Sequence, residues 1–244
     1  MNYDRRVTRV TPLRALAIAL TVVLSAFAAA QVVAVFNGAL RRGEVGYDAW
    51  LYLDEIAKRW LATGEMYYPV QFVGPYPDVG IVNLYPPLTM YLFVPMSLLP
   101  RVLWWAVPLA TLAWHVWTAR PTWWSWPLIA LASCTLPVAA AIVYGNTDLW
   151  CVAFVALACR FAPAALLLAL KPSMFPIALL FARDRRWWFG LAVLAAASIP
   201  FGALWIEWFV ALGNVQSIVL RNANSLPLMA IAALAWWTRA RTAE

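Results

Sequence analysis

Charge is scarce in these 244 residues: Asp, Glu, Lys and Arg supply 12% of them, histidine occurs once and lysine twice. Soluble domains carry about 25% charged residues, so a water-facing surface wrapped around one core is excluded. Cysteine is scarce as well. Cys134, Cys151 and Cys159 all fall inside apolar stretches without metal-ligand spacing, which excludes a disulfide framework or a cysteine zinc site and leaves them as small core hydrophobes. The lone His115 lies in a Trp-rich stretch with no second ligand beside it, so neither a metal nor a cofactor is expected. No Gly/Ser linker and no repeat at a solenoid period divides the chain, and the economical reading is one membrane domain over residues 1–244.

What is abundant is apolar length. With 64% hydrophobic residues and a mean hydropathy of +0.73, the chain reads as an all-α, polytopic membrane protein lodged in the lipid bilayer. Its net charge of +7 is then no sign of nucleic-acid binding, because the basic residues sit at the ends of apolar runs as cytoplasmic anchors do. The first run, Leu13 to Phe36, is too long for the core of a signal peptide and reads as a retained anchor. Arg5, Arg6, Arg9 and Arg14 precede it and place the N-terminus in the cytoplasm, consistent with a multi-pass protein of the cell membrane. Residues 37–85 are then a large first extracytoplasmic loop holding six of the eleven acidic residues.

Further apolar stretches cover 86–100, 102–119, 123–143, 147–159, 161–182, 187–206 and 226–238. If 86–100 crosses fully, Arg120 and Arg160 lie outside; if it is a re-entrant or surface helix, they lie inside and Arg101 outside. Fifteen residues reach only about 22 Å of a ~30 Å hydrocarbon core, and two arginines inside outweigh one, so the second arrangement is favoured. It brings Tyr144-Gly-Asn-Thr-Asp148 to the same side as the 37–85 loop and makes 161–182 a hairpin broken at Lys171-Pro172. The sixteen tryptophans, with pairs at 104–105, 123–124, 187–188 and 236–237, read as interfacial belts.

Several polar residues stand out against this background. GYDAWLYLDEIAKRWLATG (46–64) reads as one amphipathic surface helix with Gly64 as its C-cap, Trp50, Leu53, Ala57, Trp60 and Leu61 facing lipid, and Asp48, Tyr52, Glu55 and Arg59 on another face. Asp54–Lys58 and Glu55–Arg59 have i, i+4 spacing and are expected to pair. Asp48 has no such partner, and is either an N-terminal capping carboxylate, a general base, or both. Lys171 inside LLLALKPSMFPIALL costs roughly 2.5–3.5 kcal/mol on a lipid-facing helix. A phosphate-bearing ligand, a structural ion pair or a place at the interface would each meet that cost, and the ligand is the favoured reading. In NLYPPLTMYLFVP (83–95), proline in a first helical turn is cheap and rigid, so the pair fixes Asn83 and Tyr85 at the membrane surface. Asn146, Asp148 and the Asn222-Ala-Asn-Ser225 stretch complete the set.

The order of Asp48 with Tyr52, Tyr67-Tyr68-Pro69, Tyr85-Pro86-Pro87, Gly145-Asn146, Lys171-Pro172 with Pro176, Arg185-Arg186-Trp187 and Asn224-Ser225 resembles the GT-C membrane glycosyltransferases of family 87, over roughly residues 12 to 238. That resemblance implies a GT-C-like helical bundle and an inverting transfer of a sugar, mannose foremost, from a polyprenyl-phosphate donor to a lipid or glycan acceptor on the extracytoplasmic face of a bacterial membrane. It implies Asp48 as catalytic base, with Tyr52, Asn83, Tyr85, Asn146, Asp148, Lys171 and Asn224 around the substrates. The chemistry agrees: a sugar on a lipid phosphate carries its own anionic leaving group, so a base for the acceptor and a cation for the departing charge suffice. The alternative is a non-catalytic membrane protein, a lipid-carrier transporter or an assembly subunit, which keeps Lys171 and has no need of Asp48.

Overall fold

The computed structural model describes residues 11–77, 82–216 and 225–239, and among them every regular element is helical. Helix α1 (Pro12–Arg42) begins where the sequence supplies both start signals: Pro12 at its first position, and Thr11, whose Oγ1 accepts from the Arg14 N–H at 3.4 Å. It ends at Gly43 in the left-handed region (φ 70°), with Arg41 and Arg42 in the last turn. The helix therefore runs six residues beyond the apolar run that announced it, and the expected 37–85 loop starts at Gly43. Of its residues only Ala17 and Ala39 are fully buried, while Leu13, Val22, Val23, Phe27 and Val33 are all exposed. An apolar surface of that extent needs lipid or protein against it.

Helices α2 (Tyr47–Trp50) and α3 (Lys58–Thr63) flank a π-helical segment, Leu51–Ala57, and together form one rod closed by Gly64 at φ 75°. The rod is continuous, as expected, and its setting is not. Widening to π geometry turns Tyr52, Leu53, Ile56 and Ala57 all inward, so this middle segment packs against residues Met90–Ser97 rather than lying on a bilayer surface, while α3 has no buried residue. Asp54 pairs with Lys58 at 2.5 Å and also with Arg101. Glu55 does not pair with Arg59, whose partner is Glu65 at 2.5 Å. These are peripheral contacts worth about 0–1 kcal/mol each.

After the short α4 (Val70–Val73), Pro86 is extended (ψ 160°), Pro87 opens a 3-10 turn (Pro87–Thr89), and α5 (Met90–Ser97) follows. The eleven residues from Pro87 to Ser97 rise only about 16 Å, too little to cross a bilayer. Next come α6 (Leu103–Ala119), α7 (Trp126–Ser133), α8 (Leu136–Tyr144) and α9 (Asp148–Ala158). The stretch 123–143, expected as one span, is bent by 67° between Ser133 and Leu136. Residues 161–182 form the expected hairpin: a 3-10 segment Ala162–Leu170, a break at Lys171, then 3-10 turns around α10 (Phe175–Ala178) that fold back on the first arm. Asp184 caps α11 (Arg185–Ser198), which continues through a 3-10 turn into α12 (Gly202–Gly213), and α13 (Leu226–Trp237) closes the bundle.

One core cluster links buried residues from Ala49 to Ala235. Four tryptophans expected at interfaces belong to the buried set: Trp104, Trp150, Trp187 and Trp208. Trp117, Trp188 and Trp237 are exposed. Two helical rods, Pro12–Arg42 and Arg185–Gly213, are long and apolar enough to cross a membrane, and Trp123–Tyr144 makes a third if the bent pair crosses as one. Helices α9 and α13, of 11 and 12 residues, rise only about 16–18 Å.

The ends of the bundle are chemically distinct. At one, Arg42 donates to the Tyr144 hydroxyl at 2.7 Å and the Gly46 N–H to the Val143 carbonyl at 3.0 Å, which joins the 43–86 loop to the α8–α9 turn. Arg101 lies on this loop side, against Asp54. At the other end Arg160 donates to Thr118 at the close of α6, and the Thr122 N–H donates to the Thr238 carbonyl at 3.0 Å beyond α13. Arg101 therefore shares an end of the bundle with the α8–α9 turn, and Arg160 lies at the other.

Candidate functional site

Asp48 occupies the first turn of α2 and is half-buried. Its Oδ2 accepts from the Asn146 Nδ2 at 2.7 Å, and the Asn146 Oδ1 accepts the Asp148 backbone N–H at 3.1 Å. Two aspartates 100 positions apart in sequence are thereby tied to the two ends of one amide, Asp48 through its carboxylate and Asp148 through its backbone N–H. The tie depends on Gly145, which ends α8 at φ 72°. A Cβ there would lie 2.6 Å from the Trp105 ring and 2.9 Å from the Ala49 Cβ, so glycine is required both for the backbone and for the approach of the turn to α2. Trp104 adds a bond from its indole N–H to the Gly145 carbonyl at 2.7 Å.

Asp148 continues the network at the start of α9. Its Oδ1 accepts from the Lys171 Nζ at 2.5 Å and its Oδ2 from the Ser225 hydroxyl at 2.7 Å. Lys171 sits at the tip of the 161–182 hairpin, where Pro172 follows and the backbone leaves helical geometry. The lysine thus has a fixed internal counter-ion, which corrects the expectation that a phosphate-bearing ligand alone accounts for its burial. Both side chains are largely buried, 18% and 13% exposed. A desolvated pair of this kind holds position strongly and is costly to break from one side.

The tyrosines close the other flank. The Tyr85 hydroxyl lies 2.6 Å from the Thr147 Oγ1 and 3.2 Å from the Tyr52 hydroxyl, and the Tyr52 ring stacks on Phe93 and tilts on Trp104. The Tyr-Pro-Pro stretch accounts for this placement. The Tyr85 carbonyl accepts from Tyr67 at 2.9 Å, its N–H donates to the Asn83 Oδ1 at 3.0 Å, and Pro86 then turns the chain into the 3-10 segment. Asn83 does not join the cluster. It is buried, its Nδ2 donates to the Met66 carbonyl at 3.3 Å, and its role is to shape the loop. Asn224 lies outside the described residues.

Burial raises the Asp48 carboxyl above the usual aspartate range; the Asn146 bond and the Lys171 charge oppose this, and the Asp148 charge adds to it. Burial likewise raises the phenols of Tyr52 and Tyr85, so both stay neutral donors. With Asp48, Asp148 and Lys171 ionised the cluster carries one net negative charge. Among the described residues no group of three or more His, Cys, Asp or Glu side chains could hold a metal ion. The polar groups face one another directly. An apolar cleft of about 750 Å³ lies among α1, α6, α7, α8 and α13 and includes none of them.

Of the expected site residues, then, Asp48, Tyr52, Tyr85, Asn146, Asp148 and Lys171 are brought together from four separate parts of the chain. Thr147 and Ser225, which the sequence offers only within the longer stretches 144–148 and 222–225, belong with them through partners 62 and 77 positions away. No protein-family model matches this chain, and neither a curated protein nor a solved structure does.

Proposed function

We propose that the chain is a membrane glycosyltransferase, in which Asp48 deprotonates an acceptor hydroxyl as that oxygen attacks the anomeric carbon of a polyprenyl-phosphate sugar, mannose foremost. The bond from the anomeric carbon to the phosphate oxygen breaks, configuration inverts, and the lipid phosphate leaves as an anion. The observation that carries this reading is the Asp48 carboxylate: half-buried, aimed by one amide, and raised toward the pH at which a general base works best. Lys171 is the cation for the leaving phosphate. Asp148 keeps its Ser225 bond and its place at the start of α9 when the lysine turns to the donor. Tyr52, Tyr85 and Asn146 offer neutral donors and acceptors to the sugar. The reaction belongs on the loop side of a bacterial plasma membrane, the extracytoplasmic side by the arginine distribution.

A second reading has its own support. Asp48, Asn146, Asp148, Lys171 and Ser225 satisfy one another without a ligand, as the polar core of a non-catalytic lipid-carrier transporter or assembly subunit would. Reconstituted protein incubated with labelled polyprenyl-phosphate sugars and a membrane extract separates the two. Label recovered in a new lipid or glycan supports the transferase, and donor bound without any transfer supports the carrier.

A further inference from the structure

The far end of the bundle gathers positive charge with no acidic partner among the described residues. The Arg160 guanidinium lies 4.6 Å from the Trp114 ring centre and 5.7 Å from that of Trp236, and the Arg239 guanidinium lies 4.0 Å from the same Trp236 ring. Arg120 is close by: the residue after it, Pro121, bridges to Arg239 through the backbone. No carboxylate pairs with any of these three arginines among the described residues, whereas Arg42, Arg59 and Arg101 on the loop side each have one. Arg120, Arg160 and Arg239 are all exposed, so three like charges beside two indole rings stand open to an anionic group from outside the chain. Arg120 is also the one described non-glycine residue at positive φ, 49°, a conformation that bulky side chains seldom adopt without a reason.

Arg120 closes one end of the apolar cleft of about 750 Å³. Its walls include Ala29 and Val32 of α1, Leu112 and Ala113 of α6, and Ile231 of α13, and Arg120 is its one charged lining residue. An apolar trough along the membrane-length α1, lined at Arg120 by a guanidinium with no carboxylate partner among the described residues, matches a single kind of molecule: a hydrocarbon chain carrying an anionic head. We propose that the cleft is a binding site for an anionic phospholipid, with one acyl chain along α1 and α6 and the phosphate at Arg120, within the field of Arg160 and Arg239. The site lies at the opposite end of the bundle from Asp48, and the proposal does not depend on the transferase reading.

The test uses the full chain reconstituted in phosphatidylcholine vesicles, with phosphatidylglycerol bearing a photoreactive diazirine in its acyl chain as probe and phosphatidylcholine bearing the same chain as control. Irradiation should place adducts on residues 28–32 and 109–116 several-fold more often with the glycerol head than with choline. Arg120→Gln should erase that preference. Ala113→Trp, which fills the cleft from a lipid-exposed position, should remove the adducts from both stretches, with an unchanged melting midpoint showing that the fold survives. Equal labelling by the two lipids, a preference that survives Arg120→Gln, or cross-links to a second copy of the chain in place of lipid would overturn the proposal.

Discussion

At the residue scale, the environment of Asp48 makes opposite demands on stability and activity. Because burial raises its pKa above the unfolded value, its contribution to stability is present below about pH 4, the ordinary aspartate pKa, and is lost as pH rises through the folded value. At neutral pH the ionised carboxylate is therefore a cost. Asp48→Asn removes the charge and keeps an oxygen for the Asn146 amide, so its melting midpoint in detergent should exceed that of the wild type at pH 7 and match it at acid pH. The transfer rate of the wild type should rise with pH through a midpoint above the usual aspartate range. A rate whose midpoint lies at or below the usual aspartate range would remove Asp48 as the base. Lys171 makes a different demand. Lys171→Met strands the Asp148 carboxylate and should destabilise the fold by roughly 3–5 kcal/mol, and adding Asp148→Asn should recover most of that loss, as read by thermal unfolding. A single variant as stable as the wild type would mean that the pair is not the lysine's resting partner.

At the element scale, the α8–α9 turn carries the site, and its glycine can be compared with a simpler one. Gly64 and Gly145 both cap helices at φ near 70°, but a Cβ at Gly64 meets nothing within 4 Å, while at Gly145 it meets Trp105 and Ala49. Gly64→Ala should cost about 1–2 kcal/mol, the left-handed penalty alone, and Gly145→Ala should cost a further 1–3 kcal/mol for overpacking and separate Asn146 from Asp48. Equal melting losses for the two would show that the close approach does not constrain the turn. Elements of this kind divide what the sequence made legible from what it did not. The start of α1, the Gly64 cap, the hairpin at Lys171 and the shortness of α5 follow from local rules about proline, glycine and hydropathy. The inward turn of Leu53 and Ala57 does not, because a π segment breaks the 3.6-residue period on which the surface-helix expectation rested. Trp104 and Trp187 were placed at interfaces because a tryptophan at a helix end satisfies that rule equally well when tertiary packing buries it. Asn83 was placed near the sugar by its neighbours in sequence, and its hydrogen bonds turn it to the loop. The Lys171–Asp148 and Ser225–Asp148 bonds span 23 and 77 residues, beyond any helical spacing.

At the scale of the whole molecule, the separation of charge between the two ends makes a claim about sides. In a background without the three native cysteines, Val73→Cys and Leu98→Cys, both strongly exposed on the loop side, should react with an impermeant thiol reagent in intact cells. Arg160→Cys should react only after permeabilisation. Labelling of position 160 from outside would reverse the orientation and put Asp48 where no extracytoplasmic donor reaches it. The account as a whole rests on one proton transfer, so the rate of sugar transfer from labelled polyprenyl-phosphate mannose, measured for wild-type and Asp48→Asn protein in the same vesicles, bears on it most directly. A general base contributes about 10²–10⁴-fold, or roughly 3–5 kcal/mol at 1.36 kcal/mol per decade. The account predicts a loss of that size in a variant that melts no lower than the wild type at pH 7. A variant that keeps half the wild-type rate would contradict it.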